Sequence, residues 1–385
     1  MDSHIDQTPL PYEKPSLQSR IYLAAKTSAV KNGLGLVDTA KSIKSYIWSP
    51  PNLPNLTKSY ASRPNLPIRV FLPPSYDESS SALLPTLFTI HGGGFTTGNA
   101  VDDDAWNRHF ADTNSVLVVA LNYAKAPASP YPGAPNDVQA LLHSALEDVS
   151  LPIDKTRLAV AGFSAGGNLA LVLARAEALK KKEGRRDFAD FKAVIPIYPV
   201  LNHAESPSEK LERRRWKTGQ IDGYRGTQAD MVMSLADVFH WAYIPYGQDL
   251  RDPSVSPFYV TRDDLPDHVF VLASELDMLA WEDWALALRL AGKAAPEGLP
   301  GRERPAANMD LELEDEKFHW NVEQSAGRSV RWLLVPDVLH LFDMKPALEV
   351  MADAETVRDG NEKAVKVIEH LGGWLKDTAW NSTKA

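Results

Sequence analysis

From about residue 66 onward, short β-rich runs alternate with longer stretches whose apolar residues recur at helical spacing. The runs are PIRVFL (67–72), LPTLFTI (84–90), SVLVVALNY (115–123), RLAVAGF (157–163), FKAVIPIYPVL (191–201), HVFVLAS (268–274) and VRWLLVP (330–336). Most are apolar on both faces, which predicts burial on both sides in a parallel sheet with helices as crossovers. The intervening stretches fit that role: NDVQALLHSALEDV, AGGNLALVLARAEALKKK, WEDWALALRLAGKAA and a final segment near 353–376. The expected architecture is a doubly wound α/β fold.

Three regions stand outside the alternation. Residues 1–60 carry Pro and Ser around an amphipathic stretch, with Ile21, Ala24, Val30, Leu34, Val37, Ala40 and Ile47 suggesting one or two helices broken near Asn32-Gly33. Residues 203–247 are charged and aromatic and read as a helical insertion. Residues 293–328, with Pro, Gly and the acidic run DLELEDE, read as an irregular, partly mobile excursion.

Composition narrows the function classes. Lys and Arg total 41 against 50 Asp and Glu, a formal charge of −9. That argues against a nucleic-acid partner, which needs a basic face to displace counterions from phosphates. The chain has no cysteine, so disulfides, thiolate metal sites and cysteine nucleophiles are excluded. No window holds 18 successive apolar residues and the first residues are polar, so neither membrane insertion nor a secretory signal is expected. A cytoplasmic enzyme is the default expectation.

The chemistry begins with Gly162-Phe163-Ser164-Ala165-Gly166, a G-x-S-x-G pattern. Alone it is weak, and a plain Gly/Ser β–α turn would look the same. Its place between RLAVAGF and AGGNLALVLA is the strand-to-helix setting that a nucleophile elbow requires. His91-Gly92-Gly93-Gly94 follows the run LPTLFTI. Its backbone amides at Gly92 and Gly93, with that of Ala165, would make a three-donor oxyanion hole. His91 itself reads as a structural residue of this loop. A phosphate-cradling loop is disfavoured because no Lys-Ser/Thr pair follows.

If the order is Ser, then Asp or Glu, then His, the acid and base lie on later loops after strands. Asp277 is the leading acid, with Glu275 and Asp283 as neighbours; His340, after VRWLLVPDVL, is the leading base. His319 lies in the irregular excursion with no strand before it, and Asp337 reads as a solvated loop charge. Aromatic residues of 203–247 (Trp216, Tyr224, Phe239, Trp241, Tyr243, Tyr246) either line an apolar pocket or pack the insertion onto the core. The run Arg213-Arg214-Arg215 reads as a solvated helix face.

Together, HGGGF, GFSAGGN and the later Asp and His resemble the hormone-sensitive-lipase-like esterases of the α/β-hydrolase fold. NYAKAPASPYPGAPND (122–137), DPSVSPF (252–258) and SELDMLAWED are similar to further segments of that family. Over about residues 65–375 the resemblance implies a mostly parallel twisted sheet with helices on both faces, forming a catalytic domain over 61–385. It implies Ser164 as nucleophile, Asp277 as acid, His340 as base, and Gly92, Gly93 and Ala165 as oxyanion donors. A lid would come from residues 1–60 and from the insertion near 203–247. No metal or organic cofactor is implied, the expected partner is a small-molecule ester, and related esterases often form a homodimer. Two departures stand out: Leu341 where the family has Gly after the base, and Met278 where it has Pro after the acid. The same triad would serve an amidase, a formamidase or an acyltransferase. A non-catalytic receptor, as in the plant gibberellin receptors that resemble this family, and a protein-binding role for the acidic excursion are the further alternatives.

Overall fold

Nine strands form one continuous sheet in the order β1-β2-β4-β3-β5-β6-β7-β9-β8 of this computed structural model, which describes residues 6–47, 52–77, 79, 81–213, 221, 223–226, 230, 232–294 and 309–381. The strands are β1 (Leu56–Tyr60), β2 (Arg63–Phe71), β3 (Leu84–Ile90), β4 (Leu117–Leu121), β5 (Ile153–Phe163), β6 (Phe191–Ile197), β7 (His268–Ser274), β8 (His319–Glu323) and β9 (Ser329–Val335). The six strands from β4 to β9 in spatial order run parallel, through β3, β5, β6 and β7. Antiparallel pairs close both edges, β1 and β2 on one side and β8 on the other.

The parallel strands are buried on both faces because two helical layers cover them. Phe88 and Ile90 of β3 pack in one apolar cluster with Val138 and Leu141 of α3 (Gly133–Glu147), Leu169 of α4 (Ala165–Lys182) and Leu286 of α7 (Ala280–Ala291). Leu87, one residue along the strand, points the other way. It joins Phe110 of α2 (Asp104–Asn114) and Val367 and Leu371 of α9 (Ala354–Trp374). The period-2 alternation of a strand thus feeds two cores at once. All seven runs read from the sequence fall on strands of this sheet.

Three expectations change. The stretch read as broken near Asn32-Gly33 is one helix, α1 (Leu17–Ile47); an exposed helical glycine costs only about 1 kcal/mol relative to alanine, and nothing lies within 4 Å of where a Gly33 side chain would be. The sheet begins at Leu56, ahead of residue 61. The excursion at 293–328 carries an edge strand, β8, in which Trp320 pairs with Trp332 of β9; its residues 295–308 lie outside the described residues. With alternating polar positions and only five residues, HWNVE gives little strand signal of its own.

The insertion contributes α5 (Pro207–Glu212) and α6 (Met233–Tyr243), while α8 (Lys345–Met351) follows β9. Residues 10–12 are fastened to the end of the insertion by backbone bonds from Tyr12 N–H to Gln248 O (2.8 Å) and Leu250 N–H to Leu10 O (2.8 Å). Lys26 of α1 pairs with Asp237 of α6 at 2.9 Å. Among the described residues no helix is long and apolar enough to cross a membrane.

One buried carboxylate ties α3, α4 and the approach to β6 together. Glu177 accepts from Gln139 Nε2 (3.0 Å), His143 Nε2 (3.2 Å), Lys180 Nζ (2.7 Å) and the Ala189 N–H (2.7 Å). Burial alone would raise its pKa, but these donors outweigh that and lower it to about 2. Its stabilisation is therefore present above the unfolded carboxylate range and lost as pH falls toward 2. Glu177→Gln is expected to destabilise the fold by about 1–3 kcal/mol at neutral pH, with the gap from wild type narrowing below about pH 4.5; urea denaturation at several pH values measures both.

Candidate active site

The strand β5 ends at Phe163 and α4 begins at Ala165, leaving Ser164 alone to turn the chain. Ser164 sits at φ 54°, ψ −114°, a region sparsely populated by residues with a side chain. Its N–H is fixed to Ile197 O (2.9 Å), and its carbonyl accepts from Asn168 N–H (3.1 Å). Neighbouring glycines make the turn possible: a Cβ on Gly166 would lie 2.0 Å from Ile90 O, and one on Gly162 would lie 2.0 Å from Gly166 O. The Ser164 side chain faces a cavity of about 300 Å³.

His340 reaches Ser164 from the loop after β9, with its Nε2 2.9 Å from Ser164 Oγ. Its Nδ1 lies 2.5 Å from Asp277 Oδ2, on the loop after β7. The structure therefore brings together the three residues singled out as nucleophile, base and acid. Burial alone would lower the pKa of His340; the charge and hydrogen bond of Asp277, aided by Asp230 and Asp343, reverse that and raise it.

The HGGG loop lies against the serine. A Cβ on Gly92 would meet Phe163 O at 3.1 Å and Ser164 Cβ at 3.4 Å, so backbone and serine are in direct contact. Gly93 lies at φ 107°, a conformation that side chains avoid. Ala165 opens α4 beside Ser164, where the first amides of a helix have no partner within it. His91 holds the loop from behind: Nδ1–H donates to Gly92 O (2.7 Å), Nε2 accepts from Lys125 Nζ (3.1 Å), and the ring stacks on Tyr123 at 4.3 Å. Burial, with Lys125 alongside, pushes its pKa well down, so the imidazole is neutral and structural.

The other carboxylates of the two loops have structural places. Glu275 accepts the Asp337 N–H (2.9 Å), while the Glu275 N–H bonds Val335 O (3.0 Å) and the Leu276 N–H bonds Val338 O (3.0 Å). These bonds lace the acid loop to the base loop. Asp337, expected to be solvated, is instead fully buried and accepts the Met309 N–H at 2.7 Å; the chain from the 293–328 excursion covers it. Asp283 lies on α7, and burial together with Glu282 and Asp277 pushes its pKa well up. His319 is in β8, remote from Ser164 in the sheet order.

Sequence reasoning passed over Tyr198 and Asp343. The Tyr198 ring meets the His340 ring edge-on at 4.8 Å, and its hydroxyl donates to Asp343. Burial is the main cause that raises Asp343 to about 6. Tyr198 is one residue past the apolar end of β6, and its tyrosine was the available signal.

The cavity is apolar along Val232, Leu235, Phe239 and Leu279 and carries a polar group of Asn202, His203, Lys210 and His240. Of the insertion's aromatic residues, Phe239 lines it. Tyr243 instead stacks on Phe95 at 3.7 Å, Trp241 packs on the main core, and Tyr224 packs beside Ile221 and Leu276. Tyr246 is exposed. Trp216, Arg214 and Arg215 lie outside the described residues; Arg213 pairs with Glu205 at 2.7 Å and covers the Trp281 ring.

A family model described as alpha/beta hydrolase fold matches residues 87–297, more than half of the chain. The chain belongs to this family, on its hormone-sensitive-lipase-like carboxylesterase branch. It is 27% identical to the ethyl acetate hydrolase of Pseudomonas putida over 58% of this chain and 65% of that protein. It is 37% identical to the arylacetamide deacetylase of Oryctolagus cuniculus over 43% of this chain and 41% of that protein. The matched stretches thus span less than two thirds of either relative. A hyperthermophilic esterase from the archaeon Pyrobaculum calidifontis has the same fold, with a TM-score of 0.61 at 22% identity over 96% of this chain and 99% of that one.

Among the described residues, seven non-glycine positions have positive φ, and five of them surround this site: Phe95, Ser164, Tyr198, Asp337 and Leu341. Leu341, at φ 66°, occupies the position where the family resemblance expects glycine. The backbone retains a conformation that costs an L-residue about 1–2 kcal/mol. Leu341→Gly is therefore expected to be more stable than Leu341→Ala by about 1 kcal/mol, the reverse of the usual order; chemical denaturation of the two variants decides it.

Proposed function

We propose that this protein is a carboxylic ester hydrolase acting through an acyl-enzyme on Ser164. The observation that carries the reading is the Oγ–Nε2 distance of 2.9 Å, made by a serine held at positive φ with the other imidazole nitrogen on a carboxylate. His340 Nε2 takes the Ser164 Oγ proton as that oxygen bonds the ester carbonyl carbon. The N–H groups of Gly92, Gly93 and Ala165 receive the tetrahedral oxyanion. Its collapse breaks the bond to the alkoxy oxygen, which leaves as an alcohol carrying the proton from His340. Water then attacks the acyl-enzyme, giving its proton to His340 and its oxygen to the acid, and Ser164 regains its hydrogen.

The cavity supports an apolar substrate of small to medium size, since about 300 Å³ is at the lower end for ligand pockets. In this reading α1, α5 and α6 form the lid, with Leu235, Ala236 and Phe239 of α6 as its inner wall. The likeness to the arylacetamide deacetylase of Oryctolagus cuniculus favours one second reading, cleavage of an aryl acetamide, for which the same groups would protonate an amine leaving group.

Hydrolysis of p-nitrophenyl esters from C2 to C12 is expected to favour short acyl chains and to fall to background in Ser164→Ala. Activity without Ser164 dependence, combined with no labelling of Ser164 by a fluorophosphonate, would remove the esterase reading, and parallel assays on acetanilides test the amide one.

His340 must be neutral to accept the proton, and its pKa is raised above 6.5. The kcat/KM profile is accordingly expected to fall on the acid side through a pKa above 6.5; an acid limb centred at 5 would contradict this assignment of the base.

A further inference from the structure

Met278 follows the acid Asp277 directly, in the place where the family resemblance expects proline. Unlike proline, Met278 has an N–H, and that N–H donates to Asp230 Oδ2 at 3.0 Å. Asp230 is buried and belongs to the 203–247 insertion, far from β7 in sequence. Its other oxygen, Oδ1, accepts the N–H groups of Val232 (2.9 Å) and Met233 (3.3 Å), where α6 begins. One carboxylate thus spans the start of the cavity-lining helix and the residue next to the acid.

We propose that Asp230 is a positioning residue for the reaction: it clamps the acid loop to the insertion and so sets the Asp277–His340 pair. The proposal rests on the reading of Ser164, His340 and Asp277 as the reacting machinery. Two consequences follow from the geometry. The bond fixes the backbone at Met278, hence the carboxylate one residue before it. The charge of Asp230 also acts on His340, favouring the imidazolium that forms when the serine proton is taken. Among the described residues, the groups acting on the imidazole are Asp277 on Nδ1, Ser164 on Nε2, Tyr198 with Asp343 against the ring, and Asp230 of the insertion through its charge. Of these, only Asp230 comes from outside the β5, β6, β7 and β9 termini and their following loops.

The two consequences separate experimentally. In the Ser164→Ala protein the ring signals of His340 can be titrated by NMR with no substrate present. Adding Asp230→Asn, which removes the charge at nearly constant shape, is expected to move that titration to lower pH by about half a unit. The acid limb of kcat/KM for Asp230→Asn with Ser164 intact is expected to move the same way. Asp230→Ala is expected to lower kcat roughly tenfold. Met278→Pro removes the N–H and stiffens the same bond, so in that background Asp230→Ala costs only about twofold in kcat. In a Met278→Ala background, where the N–H remains, the loss stays roughly tenfold.

An unmoved His340 titration, with a raised KM and unchanged kcat, would reduce Asp230 to a cap for α6 and overturn the proposal. An undiminished kcat loss in the Met278→Pro background would do the same. If Asp230→Ala does not fold, the isosteric Asp230→Asn carries both readouts. A wild type that turns over no ester counts against the esterase reading alone, because the NMR titration tests the action of Asp230 on His340 without any turnover.

Discussion

The site depends on one strained residue. Ser164 must leave a central parallel strand and enter a helix with no intervening residue, and the backbone permits this only at φ 54°. Such a conformation persists only where the surroundings over-determine it. Here they do: Ser164 N–H is held by the neighbouring strand β6, its carbonyl by α4, and the glycines at 162, 166 and 167 allow backbone contacts that any Cβ would block. The strain points the hydroxyl away from the sheet and toward the HGGG loop. The core on both faces of β5 is therefore the support that keeps the turn from relaxing.

The second constraint is electrostatic. The base and acid loops are buried, and they carry more carboxylates than a single imidazolium can neutralise. The fold disposes of them in different ways. Asp277 faces His340 directly. Glu275 and Asp337 accept backbone N–H groups and join the loops. Asp283, deep in α7, and Asp103, deep near Asp343, have their pKa values pushed well up by burial, which disfavours their charged forms. What remains is a negative environment around His340 that favours its charged form.

These two constraints explain what could be read from the chain. The sheet was legible because strands covered on both faces must be nearly continuous runs of apolar residues, and all seven such runs are strands. Gly162, Ser164 and Gly166 were legible because the turn tolerates few side chains, and His91-Gly92-Gly93-Gly94 because backbone contact with the serine needs glycine. Edge strands were not: β1 and β8 face solvent on one side, and LTKSY and HWNVE contain no apolar run. Asp337 was misread because its burial comes from Met309 and its surroundings, a segment with no sequence pattern that places it there. Tyr198, Asp343 and Asp230 were passed over for a related reason. Their roles are set by contacts between residues distant in the chain, Tyr198 with Asp343 and Asp230 with Met278, and neither pair has a characteristic spacing.

The two departures from the family pattern show how such contacts can replace local rules. A glycine after the base would reach positive φ without strain; Leu341 reaches it at a cost, and in return its side chain closes part of the cavity wall. A proline after the acid would stiffen the loop by its ring; Met278 lacks the ring but offers an N–H, which Asp230 takes. In each case a backbone requirement stays the same while the means of meeting it moves from the residue itself to its surroundings. Both residues also line the cavity. Pocket shape and loop geometry therefore meet at the same two residues, so a change of side chain at either position acts on the cavity and on the loop carrying His340 or Asp277 together.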